Sequence, residues 1–223
     1  MRAVLVQIAG SRLNCGMLQR ELVKAARAES RDLLIALHGL GDSMEGYRFL
    51  PDVLRIPSLN VLLVNAPDAY YGGFSWYDFA ADPAPGVERS YHALEMLLED
   101  CERDGFFPDR TMLFGFSQGS LMSIETGLRY KKRLAGIIGV SGYVHEPERL
   151  LKVASPVAKE QQFLVTHGTR DKLLPIEPVR EQIEQLKRAG VQIDYHEFPK
   201  DHTIIEPEIE LFRKFICERL GLI

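Results

Sequence analysis

Cysteine is scarce in this chain: among 223 residues there are three, Cys15, Cys101 and Cys217, with no C-x-x-C spacing. An odd, scattered set of thiols suggests neither a disulfide framework nor a zinc site, and a reducing cytoplasmic compartment is the simplest setting for it. Excess charge is missing as well. The formal net charge is −4 and the longest basic cluster is "YKKR", so nothing draws the chain to phosphate backbones or anionic membranes, and nucleic acid is not an expected partner. No apolar run approaches the ~20 residues of a membrane span. The opening "MRAVLVQIAGSRLNC" has only a short apolar run broken by Gln7, which is weak for a signal peptide. Internal repeats, low-complexity tracts and linkers are lacking too, so a single domain over residues 1–223 is expected.

What is present is enough apolar matter, 46% of residues, to bury one large core. Short β-branched and Leu-rich runs alternate with longer segments of helical period, the pattern of a mostly parallel sheet with helices on both faces. The expected strands are Val4–Ile8, Leu18–Lys24, Leu33–Leu37, Val61–Val64, Met112–Phe116, Gly136–Val140, Phe163–Thr166 and Val191–Phe198. The first two are close enough to form an antiparallel N-terminal hairpin at one edge. Val87, Tyr91, Leu94, Leu98 and Cys101 recur at spacings of four and three before Gly105, which predicts a helix with one buried face. Val179, Ile183 and Leu186 before Gly190 predict another, and Ile205, Ile209, Phe212, Ile216 and Leu220 a C-terminal one with Pro207 in its first turn. The one long irregular stretch is Pro67–Gly86, "PDAYYGGFSWYDFAADPAPG", and long loops on a rigid scaffold are often functional.

Chemistry concentrates in "TMLFGFSQGS", residues 111–120, where Ser117 stands between Gly115 and Gly119. An apolar strand before a G-x-S-x-G and a small-residue helix after it form a nucleophile elbow, in which a sharp turn projects the serine hydroxyl and the glycines keep strand and helix from colliding. Gly-Ser stretches also mark ordinary turns, so the flanking elements carry the reading. An unaided hydroxyl is a poor nucleophile at neutral pH and needs a base, itself oriented by a carboxylate. In elbow enzymes these follow in the order Ser, Asp or Glu, His. His145, His167, His196 and His202 lie after the serine. His167 ends a strand in "VTHGTRDKLLP", with Asp171 on the loop beyond it as the orienting acid, although a lone loop Asp is more often a solvated turn residue. The base is then His202, in a loop just before the last helix, in preference to His196 inside a strand. An acyl-transfer oxyanion needs two backbone N–H donors. Gln118, first in the helix after the serine, supplies one, and Leu40 in "IALHGLGDS" the other. "HGLGDSMEG" is no dinucleotide fingerprint, because the third glycine position holds Met44. No H-x-H or H-E-x-x-H spacing supports a metal.

Together "HGLGD", "SWYD", "GFSQG", "SGY", "HGTRD" with its following "LLP", and a late His before an amphipathic helix resemble the phospholipase/carboxylesterase family of α/β hydrolases, which includes the acyl-protein thioesterases. The resemblance covers roughly residues 32–220. It implies an α/β-hydrolase fold, a triad of Ser117, Asp171 and His202, oxyanion donors Leu40 and Gln118, and a substrate pocket touching Trp76, Tyr143 and Leu174. It also implies hydrolysis of carboxylic esters, thioesters or lysophospholipids without metal or organic cofactor, and a tendency to homodimerise. A short- to medium-chain carboxylesterase is the expected activity, with an acyl-protein thioesterase or lysophospholipase as the alternative and a non-catalytic ligand-binding protein as the rival from another class. Two positions depart from the family pattern. Asp201 replaces the usual Gly before the histidine, which places a charge beside the ring and is expected to move the pH optimum. Ser120 stands where a further Gly often follows the elbow.

Overall fold

The computed structural model describes residues 18–222, and its architecture follows from the alternation along strand β2, Asp32–Leu37. Leu33, Ile35 and Leu37 belong to one core cluster, and Leu34 and Ala36 to another. Because successive side chains of a strand point to opposite faces, a strand apolar at five consecutive positions, Leu33–Leu37, must be covered on both sides. The remaining strands are β1 (Arg20–Val23), β3 (Leu59–Val64), the short β4 (Asp68–Tyr70) and β5 (Gly73–Ser75), β6 (Thr111–Phe116), β7 (Gly136–Val140), β8 (Gln162–Gly168) and β9 (Gln192–Phe198). Seven of them form one sheet in the order β1-β3-β2-β6-β7-β8-β9. All neighbours in it are parallel except β1, which runs antiparallel to β3.

The helices are α1 (Leu50–Leu54), α2 (Ala84–Arg103), α3 (Gln118–Arg129), α4 (Pro147–Val153), α5 (Ile176–Arg188) and α6 (Glu206–Leu220). One face of the sheet is covered by Val87, Tyr91, Leu94 and Leu98 of α2, Leu121 and Ile124 of α3, and Val179, Ile183 and Leu186 of α5. The other is covered by Leu50 and Leu54 of α1 and by Phe212, Ile216 and Leu220 of α6. The α2, α5 and α6 residues among these are those whose 3.6-residue spacing predicts apolar stripes, and each of those three helices stops where glycine takes a left-handed conformation, at Gly105 (φ 89°), Gly190 (φ 93°) and Gly221 (φ 63°). Ile205 lies outside its predicted helix, as the residue preceding α6.

The expected strand Val4–Ile8 lies outside the described residues. The strand expected over Leu18–Lys24 is β1, and its partner in the sheet is β3. Within the stretch expected to be irregular, Pro67–Gly86, β4 and β5 pair as an antiparallel hairpin, and α2 already begins at Ala84. His167 and Gly168 are the last residues of β8. Parallel register aligns Leu37 with Gly115, Phe116 with Val140, Val140 with Thr166 and Gly168 with Phe198. The carboxyl ends of five strands therefore meet at one edge, where open α/β sheets place their sites.

Candidate active site

Ser117 joins β6 to α3 with φ 54° and ψ −116°, a conformation unfavourable for a residue with a Cβ. Packing enforces it. A Cβ on Gly115 would run into the Gly119 carbonyl, and one on Gly119 into the Leu37 carbonyl of β2, so the elbow closes only with bare backbone at both positions. The Ser117 N–H donates to the Val140 carbonyl at 2.9 Å, tying the turn to β7. Ser120 fits by a related exchange: a Cβ on Gly142 or Gly139 would lie 2.5 or 2.8 Å from the Ser120 hydroxyl oxygen. That hydroxyl is buried and has no partner among the described residues.

Three loops deliver the polar groups. His202 Nε2 lies 2.9 Å from Ser117 Oγ, and its Nδ1 lies 2.7 Å from Asp171 Oδ2. A carboxylate only accepts, so Nδ1 carries the proton and Nε2 is free to accept from the serine. Asp171 Oδ1 accepts the N–H groups of Leu173 and Leu174 at 3.0 and 2.9 Å. Burial pushes the Asp171 carboxyl up, but the Leu174 N–H and the His202 ring outweigh it and hold it below the usual carboxylate range. His167 is buried behind Asp171 and donates from Nε2 to the Leu174 carbonyl at 2.9 Å, and burial lowers its pKa. His196 points elsewhere, to Asp194 at 2.8 Å. Asp201 is exposed.

The turn after β2 holds Leu40. His38 is buried and clamped at both ring nitrogens: Nε2 accepts the Ala66 N–H at 3.0 Å and Nδ1 donates to the Gly39 carbonyl at 2.6 Å. Burial lowers its pKa, with the Gly39 carbonyl and Asp42 acting the other way, and the neutral ring is the form that can accept from Ala66. Gly39 also accepts from the Asp42 N–H at 3.3 Å. With the Gly39 carbonyl turned inward, the next N–H, that of Leu40, is left free. The Gln118 N–H opens α3 and has no intrahelical acceptor. Among the described residues neither N–H has an acceptor, and both residues line the cavity that contains Ser117.

That cavity, about 360 Å³, is bounded by Leu40, Gln118, Tyr143 and Leu174 together with Tyr77, Phe79, Phe116 and Leu173. Trp76, expected at the substrate pocket, is completely buried and is not among the residues lining this cavity; its indole N–H donates to the His38 carbonyl at 2.9 Å and its own N–H to Gln118 Oε1 at 3.0 Å. The next residue in "SWYD", Tyr77, takes the wall position. Gln118 Nε2 donates to the Tyr77 carbonyl at 2.9 Å, so the Gln118 side chain fastens this segment to the elbow. Tyr77, Phe79, Phe116 and Leu173 go unnamed in the sequence expectations; the aromatics of residues 67–86 and the Leu-Leu pair after Asp171 are sequence signals for Tyr77, Phe79 and Leu173, and Phe116 has none of its own. A second depression of about 470 Å³ involves Arg27, Asp32 and Arg110. It sits at the amino ends of β2 and β6, and no histidine is among the residues that line it. Among the described residues no cluster of His, Cys, Asp and Glu could hold a metal ion, and no helix is long and apolar enough to cross a membrane.

Comparison with known proteins agrees with this architecture. Acyl-protein thioesterase 1 of Schizosaccharomyces pombe is 35% identical over 155 residues, 64% of this chain and 69% of that protein. Acyl-protein thioesterase 1 of Saccharomyces cerevisiae is 26% identical over 222 residues, 89% of this chain and 97% of that protein. Among solved structures, esterase PE8 superposes with a TM-score of 0.82 at 28% identity, covering 92% of this chain and all of that one. The sequence model of the phospholipase/carboxylesterase family matches residues 18–219, and the chain belongs to that family of α/β hydrolases.

Proposed function

We propose that the protein is a serine carboxylesterase of one α/β-hydrolase domain that hydrolyses short- to medium-chain carboxylic esters through an acyl-enzyme. The observation that carries this reading is the hydrogen-bonded line from Ser117 through His202 to Asp171, at 2.9 and 2.7 Å. Ser117 Oγ attacks the ester carbonyl while His202 Nε2 takes its proton. The Leu40 and Gln118 N–H groups hold the oxyanion, and Asp171 keeps the ring in its working tautomer and stabilises the imidazolium. His202 then protonates the leaving alkoxide and the alcohol departs. Water, deprotonated by His202, attacks the acyl-enzyme and releases the carboxylic acid with Ser117 restored.

The size of the cavity favours a modest acyl group, since about 360 Å³ is near the lower end of the ~300–1,000 Å³ of small-molecule sites. A second reading, acyl-protein thioesterase or lysophospholipase, is favoured by the names of the curated relatives and by Phe79 and Leu173, which are exposed at the cavity and offer a longer chain an apolar path. A ligand-binding role without catalysis leaves the strained Ser117 backbone without a purpose. The proposal needs no cofactor, takes a small-molecule ester or thioester as the partner, and places the enzyme in the cytoplasm with a capacity to homodimerise that light scattering tests. The deciding experiment is fluorophosphonate labelling of the wild type and Ser117→Ala, with hydrolysis of p-nitrophenyl esters from acetate to palmitate. Labelling lost in the variant and rates peaking at short to medium acyl groups are expected. Rates that keep rising to palmitate transfer the assignment to the thioesterase reading, and a folded wild type that neither labels nor hydrolyses overturns both.

A further inference from the structure

Beside the Ser117, His202 and Asp171 line lies a buried ion pair that the proposed chemistry leaves unused. Lys200 and Glu208 have side chains 1% and 0% exposed, with Nζ 2.7 Å from Glu208 Oε1. Lys200 Nζ also donates to Ser141 Oγ at 2.9 Å and to the Thr203 carbonyl at 2.6 Å, so the three donors of an ammonium meet three acceptors. Glu208 is equally committed. Its Oε1 accepts the Thr166 hydroxyl at 2.6 Å and its Oε2 the Ile205 N–H at 3.0 Å. The cluster therefore grips the loop carrying His202 on its carboxyl side, at Thr203 and Ile205, and anchors it to β8 and to the residue after β7.

The main chain of Lys200 reaches the other loop. Its carbonyl accepts the Arg170 N–H at 3.1 Å, one residue before Asp171, and Gly168 leaves no room for a Cβ against that carbonyl. Burial lowers the Lys200 pKa and Glu208 draws it back. A buried ion pair is seldom worth more to stability than an apolar pair of the same volume, but an apolar side chain cannot hold the Thr203 carbonyl at a fixed place. We propose that Lys200, neutralised by Glu208, is a positioning residue that locks the His202 loop against the Asp171 loop. This rests on the reading of His202 as the base acting on Ser117.

The test is the double variant Lys200→Met/Glu208→Gln, which removes both charges together and leaves an amide able to serve Thr166 and Ile205. With the unfolding midpoint near wild type, kcat on p-nitrophenyl butyrate is expected to fall on the order of 10–10²-fold with KM unchanged, the scale of a misplaced catalytic group. The low-field proton resonance of the His202 Nδ1–H bonded to Asp171 weakens or vanishes in parallel. Should the double variant not fold, Ser141→Ala removes one acceptor of Lys200 without changing charge and is expected to lower kcat a few-fold and broaden the same resonance. Wild-type kcat and an unaltered resonance in a folded variant overturn the proposal. An inactive, unlabelled wild type sinks the esterase reading instead, while the resonance still reports whether Lys200 positions the ring.

Discussion

The indole N–H of Trp76 donates to the carbonyl oxygen of His38 at 2.9 Å, joining the segment after β5 to the turn that exposes the Leu40 N–H. Trp76 thus supports, from behind, the turn that carries the proposed oxyanion donor Leu40, and is not among the residues lining the cavity. Trp76→Phe keeps most of the packing and removes this bond, worth about 0.5–1.5 kcal/mol. kcat is expected to fall by roughly 2- to 10-fold, with KM and the acyl-length profile unchanged. A shifted acyl-length optimum on the p-nitrophenyl series returns Trp76 to the substrate wall.

Asp171 accepts the Leu173 and Leu174 N–H groups through one oxygen and the His202 ring through the other. An amide there can present its NH₂ to the ring and favour the wrong tautomer. Asp171→Asn is expected to lower kcat by about 10⁴-fold, as loss of the orienting carboxylate does in other serine hydrolases, while thermal unfolding shows the fold retained. Steady-state kinetics with a loss below tenfold remove Asp171 from the proposed triad.

Acid acts on two groups whose pKa values the fold shifts. Because the Asp171 carboxyl is held below its usual range, it stays ionised in mildly acid solution and keeps accepting from His202 Nδ1. His38 sets a stability limb. Its folded-state pKa is lowered by burial, so the unfolded chain binds the proton more readily. The stability contributed by neutral His38 is complete above the unfolded value of about 6.5 and is lost as pH falls from there through the lower folded value. Urea unfolding of wild type and His38→Gln across this range checks it: the variant shows the shallower pH slope.

Ser120 carries a buried hydroxyl with no partner among the described residues, in a space made by Gly139 and Gly142. Leaving such a group unsatisfied costs ~1–3 kcal/mol. Ser120→Ala keeps the Cβ and is expected to raise stability by about 1 kcal/mol without changing kcat. Denaturant midpoints measure this, and a destabilised variant points to a bond from the hydroxyl that the static geometry lacks.

Local spacing identifies the strands of the sheet, the helices α2, α3, α5 and α6 that cover it, and the elbow, but not the short helices α1 and α4. Leu33–Leu37, Met112–Phe116 and Gly136–Val140 read as strands because short, continuously apolar runs alternating with segments of helical period suit strands buried on both faces. The order of Ser117, Asp171 and His202, each after a different strand, indicated which three residues could meet. Spacing gave no sign of the β4–β5 hairpin, whose three-residue strands are too short to show a period.

The sequence by itself determined the parallel sheet and the glycines that let Ser117 turn, because backbone sterics and hydrophobic periodicity act over a few neighbouring residues. Only the tertiary structure decided that Trp76 faces inward while Tyr77 lines the cavity, and that Lys200, found in a polar loop, is buried against Glu208. Those outcomes depend on which donors and acceptors lie within reach once the distant strands have been assembled. The bonds that fix them link residues far apart in the chain, where no local pattern records the partner.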